Sequence, residues 1–546
     1  MHEQQRTTLL QRTAFVFVLS IGLALCLLGI QFPPHYGPDQ EPSVGRALAH
    51  LRGDLNPNFF RYPSFYPYLV ASVYWILGTI ADYPGPIASA SATDTYFFIA
   101  RYVTVFTSFV TIVLTYLIGR RIDGPWCGIV AALLLSLTSL NIRNGHFANV
   151  DVPSTCFMVV AAYGAFRVLL DARFRWRWCV ASAMAAGLAA GTKYPAGIAI
   201  FLPLLAVSLF ARAQQGGTFG MLGARRYWAA ILAIGLCSFA TFIGSSPYIL
   251  SEFPSFTKDL LFEIEHARKG HYGFDTAPDG FQYTRGVYLL VAGLPFSLGL
   301  PFYLLSLAGL GLASYRRDPA DKLALAFIIV FYLITGFGKT VKLNYLVPLS
   351  PFLALAAARV VAAGLRSGRP KMRAATQTVV ATVVLYTAVY GWTTARQFVT
   401  DPRVRAAGEL KHLFPQQGTT IALPGSSNYF PKLDRAHFKV KRCRKGRFDV
   451  RKLIACNTDV MMVSSMLHSR SLRDPDLHPG RFSAYQKLLS GATPYEQVAV
   501  FENEFLNKEL YMRLDPMFES YRFAPTIIVF RKKQRSTADT PPGSSP

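Results

Sequence analysis

Residues 14–30 read AFVFVLSIGLALCLLGI and continue directly into residues 31–67, QFPPHYGPDQEPSVGRALAHLRGDLNPNFFRYPSFYP. The first piece is apolar throughout and carries no charge. A run of about 17–25 such residues matches the hydrocarbon thickness of a bilayer. Backbone groups there find no water, so the run must satisfy its hydrogen bonds internally as a helix. It has no clear small-x-small cleavage site before the polar stretch, so it is read as a retained span and not as a signal peptide. The second piece is polar and follows the membrane edge at once.

The rest of the 546-residue chain repeats this alternation. Hydrophobic residues make up 51% of it and charged ones only 16%. Soluble domains carry about a quarter charged residues. Mean hydropathy is +0.27. Apolar runs predict eleven spans, near 14–30, 97–118, 126–140, 153–170, 178–192, 194–210, 227–245, 286–313, 321–337, 344–364 and 374–394. The expected fold class is an α-helical polytopic membrane protein with a small α/β domain after the last span.

The formal net charge of +25 is not spread evenly. Arg6 and Arg12, Arg120-Arg121, residues 173–177 (RFRWR), Arg212 with Arg225-Arg226, Arg316-Arg317 and residues 366–373 (RSGRPKMR) fall in alternate connections. By the positive-inside rule those connections face the cytoplasm. The others (31–96, 141–152, 246–285 and 338–343) then face outward. Residues 65–81 (FYPYLVASVYWILGTIA) are apolar enough to span, yet counting them would invert every later loop. They read as an interfacial or re-entrant helix, its tyrosines and Trp75 at headgroup level.

Residues 1–395 are thus expected to form the membrane domain, with a first outer loop at 31–96. Residues 396–533 are expected to form an extracytoplasmic α/β domain, with strand-like pieces at 459–465, 497–501 and 526–530. The Ser, Thr and Pro-rich residues 534–546 read as a disordered tail. Cys26, Cys127, Cys156, Cys179 and Cys237 lie in or beside spans and read as small core residues. Cys443 and Cys456 are left in the outer domain, where an oxidising compartment would permit a bond between them. Residues 437–452 (HFKVKRCRKGRFDVRK) are strongly basic: a solvated surface, or a surface for anionic lipid or acceptor. Nucleic acid is not an expected partner outside the cytoplasm.

Polar residues gather in the outer connections. The first holds Asp39 and Glu41, with Val44, Ala47, Leu48 and Leu51 spaced for a short amphipathic helix after Pro42. The second holds Arg143, His146 and Asp151. The third is the lone Lys193 of Gly191-Thr192-Lys193-Tyr194-Pro195. The fourth, residues 263–273 (EIEHARKGHYG), holds Glu265, His266, Arg268, Lys269 and His271, and the fifth holds Lys339, Lys342, Asn344 and Tyr345. Each has a plain alternative: Asp39, Glu41 and Asp151 as helix caps, Lys193 snorkelling to headgroups, the fourth loop as a solvated face. Acids beside cations at one membrane face suit a specific chemistry. A carboxylate can deprotonate a hydroxyl as general base, while cations hold a leaving phosphate.

The ordered set PDQE…RALAHLRGDLNPNFFRYPSFYPYL, GHFANVDVPST, GLAAGTKYP, EHARKGHYG and KLNYLVPLSPFLALAAA resembles the family 39 glycosyltransferases of the GT-C fold. These are membrane enzymes similar to protein O-mannosyltransferases and lipid A aminoarabinose transferases. The resemblance implies Asp39 as catalytic base. It places Gln40 where the family has a second acid, with Glu41 one position late, and aligns Asp151 with the second-loop acid. Arg61, before Tyr62-Pro63, takes the place of a phosphate-contacting cation. Lys193, His266, Arg268, Lys269 and His271 would complete the donor-phosphate site. Phe60 stands where aminoarabinose transferases have an acid that helps hold a metal, so no metal site is carried over, and a divalent ion is left open. The implied reaction is one inverting displacement from a polyprenyl-phosphate sugar onto a hydroxyl of a glycan, lipid or protein acceptor. The expected location is a bacterial inner membrane, with the N-terminus cytoplasmic. A transporter or flippase and a catalytically inactive relative are the alternatives. A transporter would be expected to carry polar groups at mid-membrane depth, broken helices and inverted repeats.

Overall fold

The computed structural model describes residues 2–37, 40–81, 90–214, 225–269, 285–336, 340, 342–424, 427–443, 450–472, 475, 479–503, 505–514 and 524–533. These fall into two compact units, one ending at Arg396 and one beginning at Gln397.

The first unit is helical. Eight helices among its described residues are long and apolar enough to cross a membrane: Thr7–Leu27, Asp94–Asp123, Asp151–Leu170, Tyr194–Ala213, Arg225–Ser245, Pro319–Gly336, Leu343–Leu365 and Pro370–Arg396. Pro125–Leu137 and Ser139–Gly145 form a ninth crossing if taken as one span bent by 60°. The chain is a multi-pass integral membrane protein. Nine of the eleven expected segments are met in this way, and the other two differ. Residues 178–192 lie in the 17-residue helix Trp176–Thr192. The expected span 286–313 is not one helix. It is a short helical segment, Arg285–Leu298, and a second helix, Leu300–Arg316, parted by Gly299 at φ +84°. That backbone conformation suits only glycine, and Pro301, lacking an N–H, opens the new helix. The first helix also begins earlier than expected, at His2, and ends at Leu27.

Two further helices, one amphipathic and one apolar throughout, pack against each other. Glu41–Leu51 buries Val44 and Ala47 against Tyr66, Val70 and Tyr74 of Phe65–Ala81, with Ile99 and Ala100 of the Ala90–Asp123 helix beneath. Phe65–Ala81 leaves Trp75, Ile76 and Ile80 exposed. It is 17 residues long, short for a span.

The second unit contains a five-stranded sheet in the order β2-β1-β3-β5-β4. The strands are β1 (Thr420–Leu423), β2 (Lys439–Arg442), β3 (Val460–Ser464), β4 (Tyr495–Phe501) and β5 (Ile527–Lys532). β1 runs parallel to β2 and β3, and β5 runs antiparallel to β3 and β4. β3 is buried along its whole length, so it carries the near-continuous apolar run of a central strand. One face packs on Ala406 and Leu410 of the Pro402–Leu413 helix, the other on Tyr485 and Leu488 of Pro479–Leu489. Cys443 and Cys456 are bonded. The expected tail, 534–546, lies outside the described residues.

Candidate functional site

Asp151 is the first residue of its helix, where the positive end of the helix dipole favours an anion. It is nearly buried, at 5% exposure. One carboxylate oxygen is ion-paired with Lys193, and the other accepts a hydrogen bond from Asn344 Nδ2 at 2.7 Å. Three separate connections thus meet at one carboxylate. Lys193 can reach it because the Trp176–Thr192 helix stops there and Lys193 is extended, at φ −153°. Asn344 comes from the short 3-10 turn Leu343–Leu349. The next residue of that turn, Tyr345, presents its ring 5.2 Å from Lys193 Nζ and 5.4 Å from the Arg285 guanidinium. Arg285 is buried and donates from one terminal nitrogen to the Thr340 carbonyl at 3.1 Å.

A second cluster adjoins the first through Tyr194 and Thr340. The Tyr194 hydroxyl donates to the Phe60 carbonyl at 2.8 Å, and the Thr340 hydroxyl to the His266 carbonyl at 3.4 Å. Arg61 lies over the Phe262 ring at 4.0 Å and near Phe59 at 5.6 Å. Arg46 lies over Phe59 from the other helix at 3.7 Å. Burial pulls the Arg46 guanidinium down to about 10, against the pull of Tyr62, Asp259 and Tyr194. His266 stacks on Phe262 at 5.8 Å. Burial raises the Glu263 carboxyl, while the charges of His266, Arg61 and Lys342 act to lower it. Stacked, partly desolvated cations of this kind are poorly satisfied by water and attract phosphate strongly.

The expected residues are distributed as follows. Asp151 and Lys193 touch each other, and Arg61 and His266 share the Phe262 ring. Lys269 pairs with Glu265 at 2.6 Å on an exposed helix face, and Arg268 is exposed beside them. Glu41 is exposed at the head of its helix. Asp39 and His271 lie outside the described residues. Gln40 is fully buried: its Oε1 accepts from Arg101 Nε at 2.9 Å and from the Ala148 N–H at 3.0 Å, and its Nε2 donates to the Pro34 carbonyl at 3.2 Å. His146 is also buried, with its ring nitrogens 2.7 Å from the Ile142 carbonyl and 2.9 Å from the Leu28 carbonyl, and so ties the bent span to the first helix.

Arg46, Arg101, Asp259 and Arg285 were not expected. Asp259 accepts the Phe60 N–H at 2.7 Å, bringing a carboxylate to the loop position where the sequence has an aromatic. Arg285 could have been suspected as a single cation at the head of an apolar run. Arg101 could have been suspected as a charge inside an apolar helix.

A family model described as dolichyl-phosphate-mannose-protein mannosyltransferase matches residues 91–243, well under half of the chain. No curated protein sequence matches. Among solved structures, ArnT from Cupriavidus metallidurans bound to undecaprenyl phosphate aligns at 16% identity and a TM-score of 0.50, over 94% of this chain and 97% of that one. The archaeal oligosaccharyltransferase AglB from Archaeoglobus fulgidus, in complex with an inhibitory peptide and a dolichol-phosphate, aligns at 10% identity and a TM-score of 0.51, over 96% and 89%. The chain has the GT-C fold and resembles protein O-mannosyltransferases and ArnT.

Proposed function

We propose that this chain is an integral membrane glycosyltransferase, moving a hexosyl or pentosyl group from a polyprenyl-phosphate donor to an acceptor hydroxyl with inversion. One observation carries the reading. In a GT-C fold, four separate connections supply Lys193 and Arg285 beside Asp151 and Tyr345, and Arg61, His266 and Lys342 to the adjoining cluster around Phe262 and Glu263. The two solved structures of this fold named above hold undecaprenyl phosphate and a dolichol-phosphate.

In this mechanism Asp39 takes the proton of the acceptor hydroxyl. The hydroxyl oxygen forms a bond to the anomeric carbon as the bond from that carbon to the phosphate oxygen breaks. The lipid phosphate leaves as an anion held by Arg61, Lys193 and the His266 helix, with Arg268, Lys269 and His271 close in sequence. Preorganised cations at the developing charge supply the largest part of such catalysis. Asp151, engaged on both oxygens, holds Lys193 and Asn344 in place and is not itself a free base. The site end faces away from the cytoplasm, and the acceptor is a glycan, lipid or protein there.

Transfer from a polyprenyl-phosphate sugar in membranes tests the proposal. Asp39→Asn should lower the rate by about 100-fold or more, the range of general-base catalysis. Glu41→Gln, at an exposed position, should leave it within about twofold. Wild-type transfer by Asp39→Asn would remove Asp39 from the mechanism.

A further inference from the structure

A cavity of about 710 Å³ lies at the other end of the Asp151–Leu170 helix. That helix is 20 residues long, so the cavity is about 30 Å from Asp151 at 1.5 Å per residue. Three helix ends build it: Leu117, Arg120, Arg121 and Ile122 of Ala90–Asp123, Tyr163 and Leu170 of Asp151–Leu170, and Asp318, Pro319 and Ala320 leading into Pro319–Gly336. Leu117, Ile122, Leu170 and Ala320 give the lining apolar surface, and Arg120, Arg121 and Asp318 give it charge.

The rim charges do not balance. Asp171, next to Leu170, is shared by three guanidinium groups: Arg121, Arg167 at 3.3 Å and Arg175 at 3.7 Å. The Arg120 guanidinium has no ion-pair or hydrogen-bond partner among the described residues, although it lines the cavity. The acid on the rim does not offset this excess. Asp318 is held by Arg359 at 2.6 Å, in a network where Arg359 also pairs with Asp321 and with Asp123 at 2.9 Å. Asp123 in turn takes Arg316 at 3.4 Å and Arg366 at 2.6 Å, so that network is internally neutral. The surplus positive charge stays on the cavity's Arg120–Arg121 side. Trp126 and Trp176, on adjoining helix ends, are exposed, as rings at headgroup depth are.

We propose that this cavity binds a phosphate-bearing anion at headgroup depth, with Arg120 and Arg121 on the phosphate. The apolar side chains beside the two arginines suit the glycerol and acyl portion of an anionic lipid, since basic pockets between helix ends take such headgroups. The site is separate from the Asp151 cluster and does not depend on the function proposed for that cluster.

The full-length protein, purified in detergent, is incubated with phosphatidylglycerol or phosphatidylcholine, and bound lipid is read by native mass spectrometry. Wild type should retain phosphatidylglycerol in preference. Arg120→Ala should retain about fivefold less, the effect of one interfacial cation. Lys371→Ala, an exposed cation on another helix, should behave as wild type. Because Arg120 is exposed and has no partner among the described residues, the unliganded melting temperature of Arg120→Ala should match wild type. A parallel arm adds inorganic phosphate and follows thermal unfolding. Stabilisation that requires Arg120 would confirm the site and name a free phosphate as its ligand. If neither lipid retention nor phosphate stabilisation depends on Arg120, or if Lys371→Ala loses lipid equally, the proposal is overturned.

Discussion

Gln40 shows how much one residue can settle. In sequence it is the member of an acidic motif that is not an acid. In the structure it is fully buried and makes three hydrogen bonds, including one from the equally buried Arg101. Arg101 would keep the Ile30 and Phe32 carbonyls on one terminal nitrogen, but its buried Nε–H would lose its acceptor, at about 1–3 kcal/mol. Gln40→Ala is therefore expected to lower the melting temperature in detergent by several degrees, whatever it does to transfer. Lys193 gives a second test. Lys193→Met leaves the Asp151 carboxylate buried with only Asn344, and breaking such a pair costs about 3–5 kcal/mol. Asp151→Asn combined with Lys193→Met should be less destabilised than the sum of the single variants, because the pair acts as a unit. Thermal unfolding of the three variants measures this. Additive losses would show that the pair is not coupled.

At the scale of elements, helix contacts in the first unit depend on small residues. A Cβ at Gly309 would fall 2.2 Å from the Ala356 carbonyl oxygen, whereas one at Gly311 would meet nothing within 4 Å. Both lie on the Leu300–Arg316 helix. Close approach of this kind is how helices associate where lipid removes the hydrophobic drive. Gly309→Ala should lower the yield of folded protein and its melting temperature, while Gly311→Ala should be neutral or slightly stabilising. Fluorescence-detected size exclusion after heating would read both. The same scale shows why the span 286–313 was misjudged. Apolar composition sums over a window and does not register a helix break at a single residue, although Gly299 and Pro301 mark it. The strands β1 and β2 were missed for a related reason. β2 reads KVKR and is an exposed edge, where lysines are favoured and no alternation survives.

For the whole molecule, the cysteines give a prediction that spans both units. Five are free and two are bonded. Thiol titration of the denatured chain should give five without reductant and seven after it. Seven in both would place the second unit in a reducing environment. The helical, multi-pass character, the end of the bundle where polar loops gather, and the GT-C resemblance were all legible in the sequence. Each follows from patterns along the chain: hydrocarbon thickness fixes the length of an apolar run, and loop chemistry is local. The identity of Arg61, Lys193 and His266 as candidate cations was legible for the same reason. What was not legible is which of these side chains meet. Asp151 acquires Lys193 and Asn344 from segments 42 and 193 residues away, and Arg285 joins them through Tyr345. No spacing rule reaches across such distances, because the helices between are free to pack in many orders. The order is chosen by contacts such as Gly309 on Ala356 and Arg101 on Gln40. The sequence therefore determined the spans and the chemistry of the loops, and the tertiary packing decided which charges neutralise one another and which, like Arg120, find no partner among the described residues.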